Sequence, residues 1–294
     1  MSKQSFFPPI VNWLITVIQR TDPPGKYFLY ERLKDRLGRH LIRHKIGGSP
    51  FFIPWDQWCF WLNRGPQNYY LDEIEPFLKT VKNEKGSVAF IDLGADIGIV
   101  SALVAESCPN ISLIVAIEPN PASYQILELN ASKLKVETVT SRIAISNFTG
   151  DAFFNFDESV ASDHEGHLLL TEGELNASTH KTEVTTFDEL FDQNSLSGYD
   201  CVVVKLDVEG QEQAFFEGAE RALQSATKLI VLVELHPDVL RRENMTPEDI
   251  FQTAEKGRQF TWYVPLEGNR RIDRNRPFYE QFALHQYDVI GISA

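Results

Sequence analysis

The sequence predicts an α/β fold built around a mostly parallel sheet, and three observations predict it. Runs such as CVVVKLDV (201–208) and KLIVLVEL (228–235) are apolar at nearly every position, as strands buried on both faces require. Helix-length segments separate these runs, giving the alternation of a sheet covered on both sides. Acids and glycines gather just after the runs, at the carboxyl ends of the strands, where open parallel sheets bind ligands.

The elements follow in order. Residues 1–80 read as a helical and irregular extension, rich in aromatics around PFFIPWDQWCFWL (50–62). Within it, FFPPIVNWLITVIQR (6–20) is too short to span a bilayer and is broken by Asn12 and two prolines. It reads as a docking helix, with interfacial membrane contact as the lesser alternative. ERLKDRLGRHLIRHK (31–45) is basic, and Leu33, Leu37 and Leu41 recur every four residues, predicting one helix with an apolar stripe. A solvated helix packed on the main domain is the first reading, and contact with an anionic membrane or partner the second.

The polar hinge KNEKGS (82–87) leads into a second unit, residues 81–294. SVAFIDLG (87–94), ISLIVAIEP (111–119) and VETVTSRIAIS (136–146) predict three strands. Helices IGIVSALVAES (97–107) and PASYQILELNASKL (121–134) lie between them. After CVVVKLDV come one helix, QEQAFFEGAERALQSA (211–226), and the strand KLIVLVEL. QFTWYVPL (259–266) and QYDVIGIS (286–293) have no clear helix between them and form a closing pair, antiparallel at one edge. Residues 157–181 are polar and read as an insertion or lid. Its His164, His167 and His180 lack carboxylates at ligand spacing, so no metal is expected there.

Composition narrows the function. The chain has 294 residues, 43% hydrophobic and 23% charged, enough for a sizeable core. Its net charge of −13 argues against nucleic-acid binding. Cys59, Cys108 and Cys201 are scattered and form no C-x-x-C pair, which fits a reducing, cytoplasmic setting. Oligomeric state is left open.

The strand ends carry the chemistry. After the first strand stand Asp92, Gly94 and Gly98, a glycine turn that lets a ligand approach the backbone and the next helix's N-terminus. After the second stand Glu118, Pro119 and Asn120, and an acid at this distance is placed to take both hydroxyls of a ribose. The glycines do not read G-x-G-x-x-G. Ala95 and Asp96 fill the middle positions, and an acid there repels a pyrophosphate. S-adenosylmethionine, with an adenosine, a sulfonium and an ammonium but no phosphate, suits the acid-lined turn, where Asp92 and Asp96 complement its charge. KLDVEGQE (205–212) places Asp207 and Glu209 on one side if the strand continues through them. VELHP (233–237) adds Glu234 and His236, so that with Lys205 five ionisable groups converge on one rim.

The ordered set DLGADIG, AIEPNP, AISN, VKLDVEGQE and VELHP resembles the FkbM family of S-adenosylmethionine-dependent methyltransferases over residues 85–240. The resemblance implies a class I methyltransferase, Rossmann-like, with a seven-stranded mostly parallel sheet and one antiparallel strand. It implies that Asp92, Gly94 and Gly98 line the methionine end, Glu118 binds ribose with Pro119 and Asn120 nearby, and Ala144 and Ser146 lie beside adenine. Asp96 departs from the family, which usually has asparagine there. The implied reaction is O-methylation of a small-molecule or glycan acceptor, such as a hydroxyl of a sugar or natural product. Candidates for taking the hydroxyl proton are Asp207, Glu209 and His236, in that order. No obligatory metal is expected. A non-catalytic S-adenosylmethionine-binding module and a nicotinamide oxidoreductase are the rival readings, the latter weakened by the missing dinucleotide fingerprint.

Overall fold

The computed structural model describes residues 5–62, 64–157, 160–161, 166–169 and 178–294. The first segment forms β1 (Ser5–Phe6), α1 (Pro9–Thr21), α2 (Lys26–Leu37), β2 (His40–Ile46), β3 (Ser49–Pro54), α3 (Trp58–Leu62) and α4 (Leu71–Lys82). Next come β4 (Val88–Leu93), α5 (Ile99–Ser107), β5 (Ile111–Ile117), α6 (Pro121–Ala131), β6 (Glu137–Ser141), β7 (Ala144–Ile145), β8 (Gly150–Asn155), β9 (His167–Leu169) and β10 (Thr179–Thr185). The chain ends with α7 (Phe187–Gln193), β11 (Cys201–Leu206), α8 (Glu212–Glu217), α9 (Glu220–Ser225), β12 (Leu229–Leu235), α10 (Pro237–Arg242), α11 (Pro247–Gly257), β13 (Phe260–Val264), β14 (Arg270–Arg271), α12 (Phe278–Gln281) and β15 (Tyr287–Ser293).

The main sheet runs β14-β13-β15-β12-β11-β4-β5-β6. β6, β5, β4, β11 and β12 are mutually parallel, and β15 inserts antiparallel between β12 and β13. Two-residue β14 adds an eighth strand to the seven expected. From β4 the chain builds outward through β5 and β6, then returns to place β11 and β12 on β4's other side. The order therefore reverses between β4 and β11, and a crevice opens beyond their carboxyl ends.

Alternation along each strand feeds two cores. Ala89, Ile91, Leu93, Val202, Val204 and Leu206 face the helices that contribute Phe187, Phe215, Phe216 and Phe251. Val88, Phe90, Cys201 and Val203 face Phe77, Val104 and Leu127. Asp92 and Lys205 continue this second set by two-residue spacing and are register partners, so an acid and an ammonium end an otherwise apolar layer side by side.

Several expectations change. The helix read over 31–45 stops at Leu37, and His40–Ile46 is a strand instead. Leu33 and Leu37 pack on the small core of Trp55 and Trp61, while Leu41 sits in β2. Gly47 and Gly48 join β2 to β3 as a two-residue hairpin, with Gly47 at φ +54°. The extension thus holds a three-stranded sheet, β1-β2-β3, as well as helices. The boundary expected at residue 80 falls inside α4, and Leu41, Ile46, Phe51 and Ile53 share a core with Val88 and Phe90.

The strand read over 136–146 breaks in two, because Ala144 and Ile145 leave the main sheet to pair with Val184 and Thr185. β7-β10-β8-β9 form a small sheet with its own core of Ala144, Ala152, Phe154, Phe156, Leu168 and Val184. The expected lid supplies β9 and the start of β10; His164 lies outside the described residues. The helix read over 211–226 is two six-residue helices. They part at Gly218, where a Cβ would stand 2.6 Å from the Ser146 carbonyl oxygen.

Asn130 fastens the extension to the main sheet. Buried in α6, it accepts from Phe52 N at 2.7 Å and donates to the carbonyls of Phe52 (2.9 Å) and Ile97 (2.8 Å). Asn130→Ala leaves these backbone groups unsatisfied and should lower unfolding free energy by about 2–3 kcal/mol in urea titration. A loss below about 0.5 kcal/mol would show that the contact fastens nothing.

Candidate active site

Two loops flank the point where strand order reverses. After β4 the chain turns through Gly94 at φ +72°, where a Cβ would lie 1.8 Å from the Asp207 carbonyl oxygen. Glycine is required there because the β4 and β11 loops touch. Asp96 follows at φ +46°, its N–H donating to Glu118 Oε2 at 2.8 Å and its Oδ2 accepting from Gln57 Nε2 at 2.9 Å. Gln57 is itself buried, so the extension reaches the loop. Glu118 also accepts from Asn120 N at 2.8 Å. Each of its oxygens keeps a lone pair for a further donor.

These loops open onto a cleft lined by Gly94, Asp96, Glu118, Pro119, Asp207 and Glu209, with an apolar slot of Ile143, Ala144, Ile145, Phe154 and Leu168. Four other predicted cofactor residues lie behind it. Asp92 is fully buried and accepts from Ser101 N (3.1 Å) and Oγ (2.6 Å), holding the first turn of α5. Gly98, at φ +84°, leads into α5. Asn120 caps α6 through Ala122 N at 2.9 Å. Ser146 donates to Gln211 Oε1 at 2.8 Å, and Gln211 is the residue that meets the cleft.

A second cavity of about 500 Å³ adjoins the first and shares Asp207 and Glu209 with it. That is within the range of small-molecule sites. Its lining includes Lys205, Glu234 and His236, so all five groups of the predicted rim meet here. It also includes residues that strand-end reading missed: Glu73, His285 and Asp288, and Trp58, Tyr69 and Tyr70 from the extension. Trp55, Phe60 and Trp61, by contrast, are core. Asp288 was findable. β15 runs antiparallel, so its start lies at the same edge as the other strands' ends, and Asp288 stands opposite Glu234 in register.

Lys205 organises this rim. Its Nζ donates to Asp207 Oδ2 at 2.7 Å and the Gly94 carbonyl at 3.0 Å, and lies 3.8 Å from Asp92 Oδ1. Burial disfavours its charge, but Asp207 and Asp92 outweigh that and hold its pKa above the ordinary lysine value. The expected pairing of Asp207 with Glu209 on one strand face does not form. β11 ends at Leu206, and Glu209 turns left-handed at φ +49°. Asp207 instead perturbs Glu234, which is raised well above the ordinary value by burial and then by Asp207. Burial, with Glu73 and Asp207, pushes Asp288 up to about 7. Burial and then Asp96 push Glu118 up to about 8.

The sequence matches the methyltransferase FkbM domain over residues 92–260. The chain belongs to the FkbM methyltransferase family. Similar proteins include the hexuronic acid methyltransferase AglP of Haloferax volcanii, 30% identical over 175 residues, covering 60% of this chain and 64% of that one. Among solved structures, methyltransferase FkbM from Methylobacillus flagellatus is 14% identical with a TM-score of 0.43, covering 94% of this chain and 60% of that one. M. jannaschii TYW2 in complex with AdoMet is 14% identical at 0.40, covering 86% and 84%. S-adenosylmethionine is the cofactor that membership of this family implies. The cleft fits that molecule chemically: a buried carboxylate for ribose hydroxyls, an apolar slot for a base, and acids for cationic groups. Among the described residues no three His, Cys, Asp or Glu side chains are arranged to hold a metal, and no helix is long and apolar enough to cross a membrane.

Two outcomes follow from these charges. Lys205→Met leaves Asp92 and Asp207 without their cation and should cost about 3 kcal/mol of stability near neutral pH, and less at acidic pH, where carboxyls protonate. Urea titrations at neutral and acidic pH test this, and an equal, negligible loss at both would refute it. Glu118 accepts donors best when ionised, so S-adenosylhomocysteine affinity should rise by up to about tenfold per pH unit below its pKa and flatten above it. The ligand-free fold has the opposite trend. A carboxyl raised on folding stabilises below its unfolded pKa and loses that contribution as pH climbs towards about 8. Calorimetry on wild type and Glu118→Gln checks both; a slope that persists in the variant removes Glu118 from the ribose site.

Proposed function

We propose that this protein transfers a methyl group from S-adenosylmethionine to a hydroxyl oxygen of a sugar or sugar-bearing natural product. The observation that carries the reading is the meeting of two cavities at Asp207 and Glu209. One has the cofactor's chemistry, and the other has room and polar groups for an acceptor. When bound, the cofactor supplies an already activated methyl, so the chain's tasks are alignment, exclusion of water and proton removal.

Glu118 takes the ribose hydroxyls, and the slot of Ile143, Ala144, Ile145 and Phe154 takes the base. Asp207 is held by Lys205 and anchors the acceptor hydroxyl rather than deprotonating it, because an ammonium at 2.7 Å lowers a carboxylate's basicity. Of the two adjoining cavities His236 lines only the acceptor one, and its Nδ1 has no hydrogen-bond partner among the described residues, which supports it as the proton acceptor. Glu209, between the cavities, orients the hydroxyl. Trp58, at the wall and 39% exposed, offers a face on which a sugar ring can stack.

The acceptor's charge can be read as well. Glu73, Asp207, Glu209, Glu234 and Asp288 line the cavity, and Lys205 is the one lysine or arginine among its described lining residues. Carboxyl groups pair well with neutral hydroxyls or an amino sugar and poorly with a carboxylate. AglP is by name a hexuronic acid methyltransferase. Here a neutral or amino sugar is the better fit.

The test uses labelled S-adenosylmethionine with neutral, amino and uronic glycosides. Neutral or amino acceptors should be preferred over uronates by about tenfold or more in kcat/KM, the worth of one uncompensated charge near a partly solvated site. Preference for the uronate would refute the acceptor class but leave methyl transfer standing. His236→Gln should lower kcat by roughly a hundredfold or more, with S-adenosylhomocysteine affinity nearly unchanged. Asp207→Asn should act mainly on acceptor KM. If these two effects exchange, so do the roles.

A further inference from the structure

Outside the active site, the first two helices turn apolar side chains outward, and we propose that this face docks the protein on the surface of an anionic lipid bilayer. α1 directs Ile15 and Ile18 into the small core around Trp55 and Trp61, while α2 directs Tyr30, Leu33 and Leu37 into it. On their other sides Ile10 is 71% exposed, Trp13 61%, Leu14 49%, Tyr27 44% and Phe28 70%. Scattered exposed hydrophobics are ordinary, but with Leu29 there are six large ones on two helices joined by four residues, a concentration that needs a partner.

Charge selects the partner. Residues 5–45 hold eight Lys or Arg against three Asp or Glu, in a chain whose net charge is −13. Arg20 on α1, Arg32 and Arg36 on α2 and Arg43 on β2 are exposed in the same segment as the apolar positions. A basic rim around apolar and aromatic side chains is the composition of a helix lying in a lipid interface, where tryptophan settles at headgroup level. α1 has 13 residues, too few to cross a bilayer, so the contact lies on the membrane and not through it. A second copy fits less well, since a two-fold contact would set this basic segment against itself.

The full chain is sedimented with vesicles of phosphatidylcholine, alone or mixed with phosphatidylglycerol. It should bind the mixed vesicles, bind the neutral ones weakly, and be released by high salt. Trp13→Ser with Phe28→Ser, and separately Arg32→Gln with Arg36→Gln, should each lower vesicle partitioning by about tenfold or more. S-adenosylhomocysteine affinity and melting temperature serve as controls and should hold, because these positions lie outside both cavities. Failure of the wild type to bind mixed vesicles overturns the proposal, as does binding that either double variant leaves intact. If size-exclusion instead reveals a dimer that Trp13→Ser breaks, with no vesicle binding, the face joins two copies and the proposal is wrong.

Discussion

One buried ammonium holds the site together. Lys205 is the last lining residue of an apolar layer on β11, and its neighbours across the register and along the strand are Asp92 and Asp207. Three constraints meet at its Nζ: the α5 turn through Asp92 and Ser101, the glycine loop through the Gly94 carbonyl, and the acceptor cavity through Asp207. A carboxylate as enclosed as Asp92 costs several kcal/mol without compensation. The cation lets one sheet end carry several acids, which complement the cationic methyl donor of the proposed reaction. Two of its three donors are taken by backbone and carboxylate together, at Gly94 and Asp207.

The strand-end logic made much of this legible in sequence. Glu118, Asp207, Glu234 and His236 each follow a run whose apolar character marks it as buried, so their place on the rim follows from topology alone. Asp92 misled by the same reasoning. It lies beside the glycine turn in sequence, but two-residue alternation aims it into the second core, where it is fully buried and bonded to Ser101 of α5. Glu209 depended on where β11 stops, and one left-handed residue undid the shared face. Glu73 and Tyr69 come from another segment of the chain and leave no local mark. The N-terminal hairpin did leave one, in Gly47 and Gly48, but the leucines at 33, 37 and 41 carried a helical period across the real boundary at Gly38.

The extension belongs to the site rather than beside it. Gln57 holds Asp96, and Asp96 in turn donates its N–H to Glu118. Trp58, Tyr69 and Tyr70 wall the acceptor cavity. Asn130 bonds the backbone of β3 and the turn before α5 at once. In the proposed function an acceptor pressing on this wall would act on the same loop that lines the first cleft. Under the proposed function, substrate selection and cofactor positioning would share one mechanical element, and changes to the extension would alter both.

The raised acids resolve a conflict in the proposed chemistry. Moving a methyl from a sulfonium to an oxygen removes a positive charge from the donor. A rim of fully ionised carboxylates would stabilise the charged starting state more than the state in which that charge disperses, and would slow the step it surrounds. Burial prevents this. Glu234 sits well above the ordinary carboxylate value and Asp288 near 7, so around neutral pH the row Asp207, Glu234 and Asp288 holds protons as well as negative charge. Protonated, these groups can donate to an acceptor's oxygens as well as accept from its hydroxyls. The single firm ion pair, Asp207 with Lys205, remains where geometry matters most. The proposed site thus stays negative, as a preference for neutral or amino acceptors needs, yet less so than its acids would make it if all were ionised.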